Sequence, residues 1–196
     1  MDLAFMSKVR VSSLLKIMAA GVVAVPVLGL LIWYMASFIP YLGELKSLAE
    51  QGVKIKKDAN PAFYSIAVAG ETTNRIRSYA FRQAYWSLVA EKGNSGMLSW
   101  HLNNVLWRVA SHLHFNKEET FGIWVECSLY GCGRGLEEAS QKFFGKAINT
   151  LSEDELAGLV ALVKSPSIYA PGTLRGQDRK RMILENTMRT REPGSI

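Results

Sequence analysis

Cysteine is scarce in this chain. Only two occur in 196 residues, Cys127 and Cys132, and histidine occurs three times. No second His or Cys pair stands near them, so the spacing of a zinc site is missing. Strand signals are also thin. Alternating apolar and polar runs joined by hairpin turns are few, which argues against a sandwich or a barrel. No internal repeat and no low-complexity tract is present. The formal charge of +6 calls for an anionic partner. Zinc-finger spacing, an RNP motif and a basic zipper are all lacking, so nucleic acid is not that partner. Anionic headgroups and pyrophosphate-bearing lipids suit the charge better. In an oxidising compartment the two cysteines either pair or stay as small buried residues beside a turn. The sequence leaves both readings open.

Charge is absent altogether from Ile17 to Ile39. A helix of roughly 20 apolar residues spans a bilayer core, and this run is long enough. Pro26 and Gly29 are tolerated in such helices, and Trp33 and Tyr34 suit an interfacial belt. A cleaved signal has an apolar region of about 7–15 residues and then a small-residue cleavage site. The longer run here, followed by Phe38-Ile-Pro-Tyr-Leu42, reads as a retained anchor. Lys8, Arg10 and Lys16 precede it and put the amino end in the cytoplasm. Lys46, Lys54, Lys56 and Lys57 follow at a greater distance and weaken that bias. The expected division is a cytoplasmic tail over 1–16, an anchor over 17–39, a linker over 40–60 and a body over 61–196.

The body reads as mainly helical. Ile76, Ala80, Phe81, Ala84, Tyr85, Leu88 and Val89 recur at helical spacing within 75–91. Leu106, Val109, Ala110 and Leu113 do so within 103–113. A further helix is expected over 117–130, ending before Gly131 and Gly133. Ser152 with Glu155 three residues on is a capping box for the next, which stops before Pro166. Residues 179–191 form a last basic helix, closed by Pro193-Gly194. The segment 62–69 is short and apolar, and periodicity does not settle its type.

Arg134-Gly-Leu-Glu-Glu-Ala-Ser-Gln-Lys-Phe-Phe-Gly-Lys146 is the most specific stretch. With its capped helix and Pro-rich turn it resembles the end of the peptidoglycan glycosyltransferase domain, glycosyltransferase family 51, found in penicillin-binding proteins. The pattern Arg-Gly-x-x-x-Ala-x-x-x-(Tyr/Phe)-Phe is intact at Arg134, Gly135, Ala139, Phe143 and Phe144. Upstream the match loosens. Lys117 fits the lysine of Lys-x-x-Ile-Leu-x-x-Tyr-x-Asn, while Thr120, Phe121, Trp124 and Glu126 replace later positions. Ser65-Ile-Ala-Val-Ala-Gly-Glu71 resembles the lead into the family's essential glutamate. Thr72, Arg75, Ser78 and Ala80 then depart from it. Only 94–104 is left for the two middle motifs. Trp100 and His101 stand where paired glutamines would, and Asn104 stands where a second glutamate would.

The resemblance implies a mainly α, lysozyme-like glycosyltransferase domain behind one N-terminal transmembrane helix. It implies a membrane-anchored, monofunctional enzyme polymerising lipid-linked disaccharide-peptide in cell-wall synthesis, since no transpeptidase domain follows the last helix. The setting would be the bacterial inner membrane, single-pass, with the body extracytoplasmic. Glu71 would be the base. Lys117, Arg134 and Gly135 would bind substrate, with His101 and Glu126 as chemical substitutes for lost groups. The partners implied are the lipid-linked precursor, the membrane and other cell-wall synthesis proteins. No resident metal is implied, and a divalent cation is the one cofactor left open. Two other readings stand beside it. A degenerate, non-catalytic relative would bind the same lipid or a synthesis partner. A lysozyme-like lytic enzyme would use a lone acid, although paired carboxylates are usual there.

Overall fold

The computed structural model describes residues 3–93 and 96–191, with side chains at Met18 and from Gly21 onward except at Lys92. Among these every regular element is helical. The chain divides into two units, one up to Leu42 and one from Gly43.

The first unit is built on α1 (Leu3–Ser37), which carries Pro26 inside it. An 18-residue window there has mean hydropathy 2.2 and is 6% buried, so the helix is long and apolar enough to cross a membrane. Its start at Leu3 takes in the stretch expected as a tail. The side chains of Lys8, Arg10 and Lys16, which carry the orientation argument, lie outside the described residues. A 3-10 turn at Ile39–Tyr41, started by Pro40, ends the unit.

The second unit holds eight α-helices and two 3-10 turns among the described residues. Residues 40–60, read as a linker, contain α2 (Leu42–Asp58), which buries Leu45, Leu48, Ala49 and Gly52. The segment of unsettled type is α3 (Phe63–Gly70). Then come α4 (Thr73–Leu88), α5 (Met97–His114), α6 (Lys117–Cys127), α7 (Gly135–Phe144), α8 (Glu153–Lys164) and α9 (Leu174–Arg191). Local chemistry explains the starts. Thr72 accepts from the Arg75 N–H, and Asn116 with Glu119 and Ser152 with Glu155 form capping boxes. The Pro193-Gly194 stop lies outside the described residues.

The core sits on α8, where Leu156 to Val163 are all buried. A helix apolar on every side must lie at the centre, and α3, α7 and α9 pack around it. A second layer is α4 against α5 and α6. Phe63, Phe121 and Trp124 fill the space between with ring centroids 5.2–6.4 Å apart. Each such fully buried ring contributes about 2 kcal/mol by removal from water. Helices α2 and α6 meet backbone to backbone, since a Cβ at Gly52 would collide with the Gly122 carbonyl. Cys127 and Cys132 are joined by a disulfide that closes the turn after α6.

Candidate active site

Glu71 sits where the chain turns from α3 into α4. Its backbone is extended (φ −136°, ψ 127°), and its N–H donates to the Ala67 carbonyl at 2.8 Å, ending α3. Gly70 lets that end seat against Val160 and Ile183, because a Cβ there would strike both side chains. The Glu71 carboxylate is mostly buried and accepts from Arg179 Nη2 at 2.6 Å. The same nitrogen also reaches the Gly70 carbonyl at 3.3 Å. Arg75, one helical turn on, stands 4.0 Å from the other carboxylate oxygen.

Arg179 is held from behind. It is only 8% exposed, and its guanidinium lies 5.2 Å from the Tyr169 ring centroid. Lys164 lies 5.7 Å from the same centroid. The turn between α8 and α9 thus fixes a cation against Glu71 and brings a second one nearby. The Arg179 Nε and Trp124 Nε1 donors are buried without an acceptor among the described residues.

Glu71 opens on a cleft of about 280 Å³ lined by Arg75, Ser78, Tyr79, Arg82, Trp124, Val163 and Lys164. Three cations and one carboxylate give it a positive field. Burial pushes the Tyr79 hydroxyl up from its ordinary value, against the pull of Gln83 and Arg82. Tyr79 is therefore a neutral hydrogen-bonding group at physiological pH. Among the described residues no group of three or more His, Cys, Asp or Glu is placed to hold a metal. Glu71 is the one carboxylate among the described residues that line the cleft.

Two further depressions lie along α4 and share lining residues with the cleft in turn. Arg75, Ser78, Tyr79, Arg82, Gln83 and Trp86 share a face of α4. Arg82 also lines a second depression, with Gln83, Trp86 and Trp100. Gln83 and Trp86 continue into a third, with Glu91, Tyr130, Cys132 and Arg134. From Arg75 to Trp86 the helix rises about 16 Å.

The expected site residues are dispersed. Glu71 lines the first of these depressions and Arg134 the third. Arg134 is exposed, donates to the Tyr130 carbonyl at 2.9 Å and pairs with Glu138 at 3.5 Å. Gly135 is buried at φ +42°, and a Cβ there would strike the Val125 carbonyl and the Glu126 backbone. Its place is a helix crossing rather than a cleft wall. Lys117 is exposed at the start of α6, the end far from Arg134, and does not line the Glu71 cleft. His101 is exposed on α5 with its ring edge-on to Trp100 at 4.7 Å. Glu126 is buried, 6% exposed, and burial followed by the nearby Glu137 raises its carboxyl above the usual range. It too is outside the cleft. Asn94 and Ser95, which open the segment read for the middle motifs, lie outside the described residues.

Sequence reasoning missed Arg179, Arg82, Tyr79 and Lys164. A signal was available for two of them: Arg75, Ser78, Tyr79 and Arg82 follow i, i+3, i+4, i+7 spacing, a polar stripe on a helix that is apolar opposite.

A family model described as Transglycosylase matches residues 82–188. That span includes Lys117, Glu126, Arg134 and Arg179 and does not reach back to Glu71. Penicillin-binding protein 1A of Pseudomonas aeruginosa is 31% identical over 100 residues, 49% of this chain and 12% of that protein. Penicillin-binding protein 2a of Streptococcus pneumoniae is 29% identical over 75 residues, 37% of this chain and 10% of its own length. Penicillin-binding protein 2D of Bacillus subtilis is 28% identical over 85 residues, 42% of this chain and 12% of its own. The matched stretch therefore spans about a tenth of these relatives.

Proposed function

We propose that this chain, which belongs to the transglycosylase family, is a membrane-anchored peptidoglycan glycosyltransferase acting on a lipid-linked disaccharide-peptide. One observation carries the reading: among the described residues Glu71 is the single carboxylate in a cleft that otherwise offers the cations Arg75, Arg82 and Lys164. Polymerisation needs a base for a sugar hydroxyl and positive charge for a departing pyrophosphate. The Glu71 carboxylate takes the hydroxyl proton as that oxygen bonds to the anomeric carbon. The bond from that carbon to the pyrophosphate oxygen breaks, and the cleft cations meet the charge left on the leaving group. Helix α1 supports membrane anchoring by its length and apolarity. The basic residues before the apolar run favour an extracytoplasmic body.

A second reading, a relative that binds the lipid precursor without turning it over, also has an observation in its favour. Arg179 holds the Glu71 carboxylate at 2.6 Å, and no second carboxylate lines the cleft among the described residues. The lytic reading is weaker, since glycan hydrolysis usually pairs two carboxylates and Glu71 is the one carboxylate among the described residues that line the cleft. Incubation of the full chain in lipid with labelled lipid-linked disaccharide-peptide separates them. Polymer made by the wild type and lost in Glu71→Gln is the expected result. Binding without polymer, unchanged by Glu71→Gln, leaves the second reading. Fragments released from finished peptidoglycan support the third.

A further inference from the structure

Helix α5 faces solvent with the wrong surface for a soluble body. Leu98, Leu102, Val105, Val109 and Leu113 follow i, i+4, i+7, i+11, i+15 spacing, and their exposures run from 48% to 82%. They form one stripe along the whole helix, while Trp107, Ala110 and Ser111 face inward. One flank of the stripe carries Arg108, the one fixed charge of α5, with two histidines beside it. His101, Arg108 and His112 are all exposed there, and α5 contains no Asp or Glu. An apolar stripe with a basic side chain and no acidic one on its flank suits a helix lying in a bilayer interface.

The basic flank leads into a pocket of about 290 Å³ between α4 and α5, lined by Asn74, Arg77, Ser78, Arg108 and His112. All five side chains are polar and none is acidic. Arg77 is 8% exposed and gives its hydrogens to neutral groups at the end of α5. These are the Ser111 carbonyl and hydroxyl at 3.1 and 3.2 Å and the Phe115 carbonyl at 3.0 Å. Arg108 has only a 3.5 Å contact with the Ser78 hydroxyl. Neither arginine has a carboxylate partner among the described residues. Burial pushes the Arg77 guanidinium down from its ordinary value, so an anion nearby would relieve it. Arg77 supplies charge to this pocket, while Arg108, Asn74, Ser78 and His112 supply the free contacts.

We propose that α5 is a lipid-facing helix and that the Asn74–Arg77–Ser78–Arg108–His112 pocket takes the phosphate of an anionic phospholipid, whose acyl chains run along the Val105–Val109–Leu113 stripe. A zwitterionic lipid satisfies the stripe but brings its own cation to the pocket. The site adjoins the Glu71 cleft at Ser78 and does not depend on whether that cleft turns substrate over.

The test uses the full chain in nanodiscs doped with photoactivatable phosphatidylglycerol or phosphatidylcholine, with adducts located by mass spectrometry. The anionic probe should label the α5 peptide more heavily than the zwitterionic one. Arg108→Glu should reduce the anionic signal to the zwitterionic level, and Arg175→Glu, an exposed charge on α9, should leave it intact. Val109→Asp should reduce labelling by both probes. Thermal unfolding of each variant checks that the fold survives. Equal labelling by both probes in the wild type overturns the headgroup site. Loss of the adduct on adding inorganic phosphate makes it a free-phosphate site and also overturns the proposal. Protein–protein crosslinks through α5 in place of lipid adducts would assign the stripe to a second copy.

Discussion

At the scale of single residues the decisive fact is a pair far apart in sequence. Glu71 stands out in the sequence through the resemblance of its apolar lead to the family's, but its partner Arg179 lies 108 residues away. In the sequence Arg179 is one basic residue of a basic helix, and nothing local distinguishes it from Arg175 or Arg181. Removing one partner of a buried pair strands the other, at a cost of about 3 kcal/mol. Arg179→Met should therefore lower the melting temperature markedly, and Arg179→Lys should restore most of the loss. If Arg179 positions Glu71, the pH profile of any polymerisation should also move in Arg179→Lys. Glu126 makes the opposite case. It reads as a possible substitute for a lost catalytic group, yet it is a buried carboxyl with a raised pKa, first through burial and then through Glu137. A raised folded value gives stability that is present below the ordinary glutamate value of about 4.3 and lost as pH rises through the folded one. Glu126→Gln should thus raise the melting temperature at pH 8 and make little difference at pH 4. Equal effects at both pH values would remove titration as the cause.

Among the helices, starts were more legible than neighbours. The Ser152–Glu155 box was readable because capping depends on residues three apart, and the structure forms it as written. The helix over 117–130 was expected to run three residues too long. The disulfide and the turn around Leu129, at φ +72°, end it at Cys127. The burial of α2 was not legible either, since it depends on two glycines, Gly52 and Gly122, that meet only in the fold. At the start of α8 Glu155 serves two partners. Its bond from Lys146 at 2.6 Å and its capping of Ser152 hold its carboxyl down at about 2. A lowered folded value gives stability that is present above about 4.3 and lost as pH falls towards 2. Glu155→Gln should flatten the acid limb of the stability curve between those limits. Ser152→Ala should cost about 1 kcal/mol at any pH above them. Urea unfolding at pH 3 and pH 7 would check both.

Over the whole molecule, charge is sorted by position rather than by number. The formal excess of +6 indicates an anionic partner without saying where it binds. The fold draws Arg75 and Arg82 from α4 and Lys164 from α8 into one cleft, and sets Arg77 and Arg108 in another beside it. No one of these was a motif residue, because each motif is local and the field they produce is not. Arg82 is the informative position, as it lines both the Glu71 cleft and the depression that leads on towards Arg134. A substrate whose pyrophosphate lies near Glu71 and whose sugars follow α4 must pass it. Losing one charge-assisted contact costs about 1.5 kcal/mol, so Arg82→Ala should weaken binding of the lipid-linked precursor about tenfold. Exposed charges are screened over about 10 Å at 0.1 M salt, so wild-type affinity should fall as salt rises, and fall less steeply in the variant. Titration of labelled precursor at low and high salt measures both slopes. Parallel slopes, or a variant that binds as tightly as the wild type, would mean that the substrate does not run along α4 and that Glu71 and Arg134 do not serve one ligand.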